Sequence, residues 1–328
     1  MGVISWIKDK YNNHKFQKAK KSLSEGDIEQ AVEIFKEILD CHPDAPSELL
    51  SIYHSNIYQG NNKRISDVAS LYENHQFLRE KCIDFAKSLE TSNQIRLHIN
   101  YCQALYCKGI HELLNQFVTS ATKLVIEENY VDNLQIFTKD YSLLDFLSNS
   151  ILDEAQKSFV QKEDLKKIER LCLLIKPYLS SKDFYELYAN VRFDLIIQNN
   201  ITEDSAKQLE RLFKDIKVVY CLSDAFTKTL TSKSLNLARL LLEQKKYNIA
   251  LLISQQFIEK HLDAREIYAD SALKIYSSPN TKTSSYSYLI KSELLYKCLG
   301  NEDAVLVNTL EPFIPYSTPV SYTHLTLP

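Results

Sequence analysis

Apolar residues recur at three- and four-residue intervals through most of this chain, the spacing of amphipathic helices rather than strands. The stretch Glu25–Pro43 shows the grammar most completely. Gly26 can adopt the left-handed conformation that ends a preceding helix. Asp27 can accept from the first free N–H groups of the next one, and Gln30 stands three residues later, as in a capping box. Ala31, Ile34, Phe35 and Ile38 then form one apolar stripe, and Pro43 forbids continuation. Residues 3–24, with Ile4, Ile7, Tyr11, Ala19 and Leu23 apolar, read as the helix that covers this stripe.

The same reading carries along the chain. Pro46 suits a first helical turn, and Ser47 to Tyr58 runs on to a loop at Gly60-Asn61-Asn62. Asp67 to Leu89 reads as one long helix, Asn93 to Cys107 and His111 to Ile126 as a pair around Gly109. Further helices are expected at Val131–Phe137, Leu143–Phe159, Leu165–Ile175 and Phe184–Ile197, with Asn199-Asn200 as a turn and Thr202 as a cap. Asp224 to Leu230 reads as short, and Leu235–Gln244 pairs with Tyr247–His261. Asp263 with Glu266 reads as a capping box opening a helix through Ile275. Ser277 to Ser285 reads as a loop before helices at Tyr288–Leu299 and Glu302–Leu310.

Gly26-Asp27, Ala31, Phe35 and Pro43 resemble the second half of a tetratricopeptide repeat, and Ala19 fits the small position of its first helix. Lys15 stands where the family has an early aromatic, and Phe16 follows it. Leu237-Ala238, Leu241, Tyr247, Ala250 and Phe257 fit the template again, with Lys245-Lys246 in place of Gly-Asp and Leu262 in place of Pro; Ala272 marks a following unit. The resemblance covers about a quarter of the chain, a helix–turn–helix signature. It implies an all-α superhelix of antiparallel helix hairpins over residues 1–318, clearest at 10–43 and 231–264 and irregular across 64–230. It also implies a groove lined by first helices, which nominates Lys20, Asn236, Arg239 and Tyr276 as partner contacts. The basic and Asn pattern with which such clamps hold a C-terminal carboxylate is not reproduced.

Composition narrows the function. Five glycines in 328 residues suit a helical chain rather than phosphate-cradling loops, hairpins or barrels. A net charge of -3 argues against a general nucleic-acid binder. Seven scattered cysteines without a CxxC spacing read as small buried hydrophobes of a reducing cytoplasm. No stretch is apolar and long enough for a membrane span, and Met1–Ile7 is too short for a signal sequence. Gly2 is not a myristoylation site, because Trp6 replaces the required Ser or Thr.

Chemistry is sparse. GxSxG, GxxxxGK[ST] and GxGxxG are absent. His111-Glu112 lacks the second His of a zinc-protease helix, and His54, His75 and His98 have no ligands at usable spacing. Asp153-Glu154 and Glu163-Asp164 lie among lysines, the pattern of solvated faces. Neither a catalytic site nor a cofactor is expected, though an all-helical enzyme with a site built from distant residues stays an alternative. The first expectation is a cytoplasmic adaptor that binds a protein or peptide. A second places Trp6, Ile7, Lys8 and Lys10 on an anionic membrane, since six lysines crowd the first 21 residues against Asp9 alone. Packing of that helix on Ala31 and Phe35 is the competing reading. Residues 320–328 resemble a translated sequencing adapter, which implies a metagenomic or draft-assembly gene truncated near Pro319.

Overall fold

A computed structural model describes residues 2–128, 131–198, 201–215, 224–258 and 260–276. Among the described residues every regular element is helical. The chain divides into two compact units, residues 1–157 with 173–179, and residues 158–172 with the chain from 180 onward. The expected helices at Tyr288–Leu299 and Glu302–Leu310, the loop before them, the Asn199-Asn200 turn and the tail 319–328 lie outside the described residues.

In the first unit, α1 (Gly2–Ser24), α2 (Ile28–Glu37), α3 (Ala45–Tyr58), α4 (Arg64–Asn74), α5 (Arg79–Thr91), α6 (Ile95–Tyr106), α7 (Leu113–Glu127) and α8 (Tyr141–Val160) follow one another. Sequence neighbours pack together, α1 on α2, α2 on α3, α3 on α4, α5 on α6 and α6 on α7. Ala19, Ala31, Ala86, Ala121 and Ala155 are fully enclosed; a methyl side chain lets two helix axes approach closely, and bulkier Phe35, Leu49, Phe117 and Ile151 fill the space beside it. Ala121 is the small residue of the second helix of the Gly109 pair.

The turns follow a common geometry. Gly26, at φ +85°, donates to the Leu23 carbonyl at 3.2 Å, and Asp27 to that of Ser22 at 2.9 Å. This is the paired carbonyl satisfaction that ends a helix on a left-handed residue. Gly60 and Gly109 repeat it. So do Asn93, Lys162 and Lys245, at φ 59°, 58° and 63°, without glycine. Gly26, Gly60 and Asn93 stand 34 and 33 residues apart, so the turns of three successive hairpins, α1/α2, α3/α4 and α5/α6, are nearly evenly spaced.

Several expectations change at element boundaries. The long helix foreseen over Asp67–Leu89 is α4, a break at His75, a 3-10 turn at Gln76–Leu78 and α5. Val131–Phe137 is not a helix. It folds as a loop with one 3-10 turn at Leu134–Ile136, where the Asn133 side chain accepts from Gln135 N–H at 2.8 Å. Only half of the first capping box forms. Asp27 accepts from Gln30 N–H at 3.1 Å, while the Gln30 carbonyl turns away to accept from Ser22 Oγ at 2.7 Å.

The unit boundary cuts the last turn of α8 and runs through α9 (Leu165–Ile175). The second unit continues with α10 (Lys182–Gln198), α11 (Glu203–Asp215), α12 (Asp224–Glu243), α13 (Tyr247–Ser254) and α14 (Leu262–Tyr276). Thr202 caps α11, accepting from Ser205 N–H at 3.3 Å. α12 is one helix where two were foreseen. Its polar midpoint stays helical because Thr231 and Ser234 return their hydroxyls to the Thr227 and Leu230 carbonyls, at 2.8 and 3.0 Å, and are satisfied while buried. Ala238, Ala250 and Ala272 are fully buried. α13 packs on α12, α14 and α11, and Phe257, in the turn after α13, meets Phe213 of α11 edge to face.

Candidate functional site

The second unit brings two of the four nominated groove residues to one surface. α12 and α14 lie side by side, both also touching α13. Ser232, Asn236, Arg239 and Leu240 recur at helical spacing on the solvent side of α12 and are all exposed. Arg239 Nη2 donates to Asp263 Oδ2 at 2.9 Å, tying α12 to the first turn of α14. Asp263 therefore holds a neighbouring helix and is not a cap; α14 already begins at Leu262. Ser232, Leu235, Asn236, His261, Leu262 and Asp263 line an open cleft of about 230 Å³. Leu240 and Leu262, 53% and 73% exposed, flank these polar groups. Tyr276 ends α14 and its side chain lies outside the described residues.

Lys20 belongs to the other unit. Its ammonium stands 2.9 Å from Glu48 of α3 and over the Phe16 ring at 5.3 Å. It joins the first helices of successive hairpins, as Arg239 does for α12 and α14.

At the start of α1, Trp6, Ile7, Lys8 and Lys10 are exposed. The expected packing of α1 on Ala31 and Phe35 begins only further along. Phe16 meets Phe35 edge to face at 5.6 Å and stacks on His42 at 4.0 Å. His42 Nδ1 accepts from Asp44 N–H, so its Nε2–H donates to Asn13 Oδ1 at 3.0 Å. Asn12 donates to the Cys41 carbonyl.

Buried polar groups sit elsewhere. Tyr101, fully enclosed, meets His54 Nε2 at 2.8 Å, and His54 stacks on Phe85 with ring centroids 3.9 Å apart. Burial pushes His54 down to about 3 and holds the Tyr101 hydroxyl well above its usual range, so Tyr101 O–H donates to a neutral imidazole. Burial pushes Cys82 up to about 11 and Cys172 up to about 12; thiols of this kind are not thiolates at neutral pH and make poor nucleophiles. Cys82, Cys102 and Cys172 are the small core residues expected, but Cys41 and Cys107 are exposed. Glu112 pairs with Arg79, Glu154 with Lys157 and Glu163 with Lys167. No group of three or more His, Cys, Asp or Glu side chains is arranged to hold a metal ion among the described residues. Nor is any described helix long and apolar enough to cross a membrane.

Among the described residues these features define an all-helical protein with repeated hairpins, packed on their sequence neighbours through α1–α7 and α10–α14. No protein-family model matches the chain, and no curated protein matches it.

Proposed function

We propose that this protein is a non-catalytic, tetratricopeptide-like scaffold of the cytoplasm that binds an extended protein or peptide segment along first helices of its hairpins. Three turns spaced 34 and 33 residues apart match the 34-residue tetratricopeptide period. The observation that carries the reading is the α12–α14 surface. Asn236 offers both a donor and an acceptor, as a peptide backbone requires, and Arg239 keeps N–H donors beyond the one given to Asp263. Leu240 and Leu262 supply apolar contact area beside them. Stacked helices hold these groups in place before a partner arrives, which lowers the ordering cost of binding.

A displayed library of random peptides, panned on the full chain, tests the reading. Binders should lose about tenfold or more in affinity, roughly 1.4 kcal/mol, on Asn236→Ala and again on Arg239→Ala. Binders indifferent to both changes would overturn the assignment of this surface.

A further inference from the structure

The solvent-facing side of α1 plays no part in the peptide reading of the α12–α14 surface. Asn12 and Asn13 mark where α1 first engages the turn after α2; before them, residues 6–11 are helix exposed at every position. Phe16 follows Ile7 by nine residues, about half a revolution away at 3.6 residues per turn. The apolar side chains that build the hairpin and those near the helix start therefore point in opposite directions. Ile7, Lys10, Tyr11, His14, Lys18 and Lys21 share the outward side, at i, i+3, i+4, i+7, i+11 and i+14, and every one is exposed.

This stripe is apolar and aromatic at one end and basic at the other. Asp9, the one acidic residue before Glu25, follows Ile7 by two positions and falls off the stripe. Lys8 lies to one flank, about 100° from Ile7, and Trp6 borders the stripe about 100° to the other side. Lys10 places its ammonium over the Trp6 ring at 5.0 Å. Lys15 and Lys20 are committed to Glu37 and Glu48 on neighbouring helices and Lys21 to Glu25 at 3.7 Å, whereas Lys10 and Lys18 form no ion pair among the described residues. A row of cations beside Trp, Ile and Tyr matches a lipid interface: the rings and the isoleucine enter the boundary between headgroups and chains, and the ammonium groups meet anionic headgroups.

We propose that the Trp6–Lys21 face of α1 docks on an anionic phospholipid surface. Trp6 is the sole tryptophan of the chain, so its fluorescence reports this contact alone. The full chain is mixed with phosphatidylcholine vesicles, with or without phosphatidylserine, and followed by tryptophan emission and co-sedimentation. The expected result is a blue shift and salt-sensitive sedimentation only with phosphatidylserine present. Replacing Lys10 and Lys18 by Gln should weaken partitioning by roughly twenty-five-fold, about fivefold for each lysine near the surface. The charge-matched pair Lys36→Gln and Lys207→Gln, both exposed on other helices, should change nothing. No shift with phosphatidylserine, equal binding to neutral vesicles, or undiminished binding of the Lys10/Lys18 variant would overturn the proposal. A blue shift that grows with protein concentration without lipid would overturn it too, assigning the face to a second copy of the chain.

Discussion

His54 shows how one buried side chain links helix packing to pH. Its ring lies flat on Phe85 of α5 and accepts from Tyr101 of α6, so a residue of α3 locks two later helices. Protonation removes the acceptor and places a charge where burial opposes it. The folded-state value near 3 lies below the ordinary 6.5, so between these values the unfolded chain carries the extra proton. Stability is complete above about pH 6.5 and falls as pH drops through that window, by at most about 1.4 kcal/mol per pH unit from this residue. His98, enclosed against Ser120 and Gln116, is shifted down by burial too and acts in the same direction. Urea titrations from pH 7 to pH 4 should show this slope, and His54→Gln should flatten it. An unchanged slope in the variant would show that His54 is solvated.

At the scale of elements, the turn residues decide what could be read from the sequence. Gly26 and Asp27 announce their turn because glycine and aspartate are the residues such geometry favours. Asn93, Lys162 and Lys245 adopt the same left-handed conformation without that chemical mark, so the third hairpin of the 34-residue series could not be seen. The merged reading of α4 and α5 has the same origin, since no Gly or Pro marks the break at His75. Gly26→Ala should cost about 1–2 kcal/mol, all of it backbone strain, because a Cβ there meets nothing within 4 Å. Lys245→Gly should do the reverse, stabilising by about 0.5–1 kcal/mol once glycine's greater freedom in the unfolded chain is set against the relieved strain. Denaturant melts of both variants check the pair of opposite signs. Candidate sites were legible in part for a related reason. Asn236 and Arg239 follow from their place in the repeat resemblance, but the Arg239–Asp263 link joins residues 24 apart in sequence and depends on how α14 sits beside α12. The two directions of α1 show only once Phe16 is seen against Phe35 and Ile7 in solvent.

At the scale of the whole molecule, nearest-neighbour packing predicts how damage spreads. In a repeat array, stability is approximately a sum of the stabilities of single repeats and the interfaces between neighbours. The described hairpins of α1–α7 and of α10–α14 pack chiefly on those adjacent in sequence. Phe35 is fully buried and meets Phe16 across the first hairpin. Phe35→Ala should remove about 3–5 kcal/mol where it acts, through lost burial and the cavity left behind. In native-state hydrogen exchange, amides of α1, α2 and α3 should lose protection by an amount approaching that figure, since local openings there become cheaper. Amides of α13 and α14, around the equally enclosed Ala250 and Ala272, should exchange as in the parent chain. A matching loss of protection at both ends would mean that the chain unfolds as one cooperative body, and the hairpins would then not be the units in which its stability is organised.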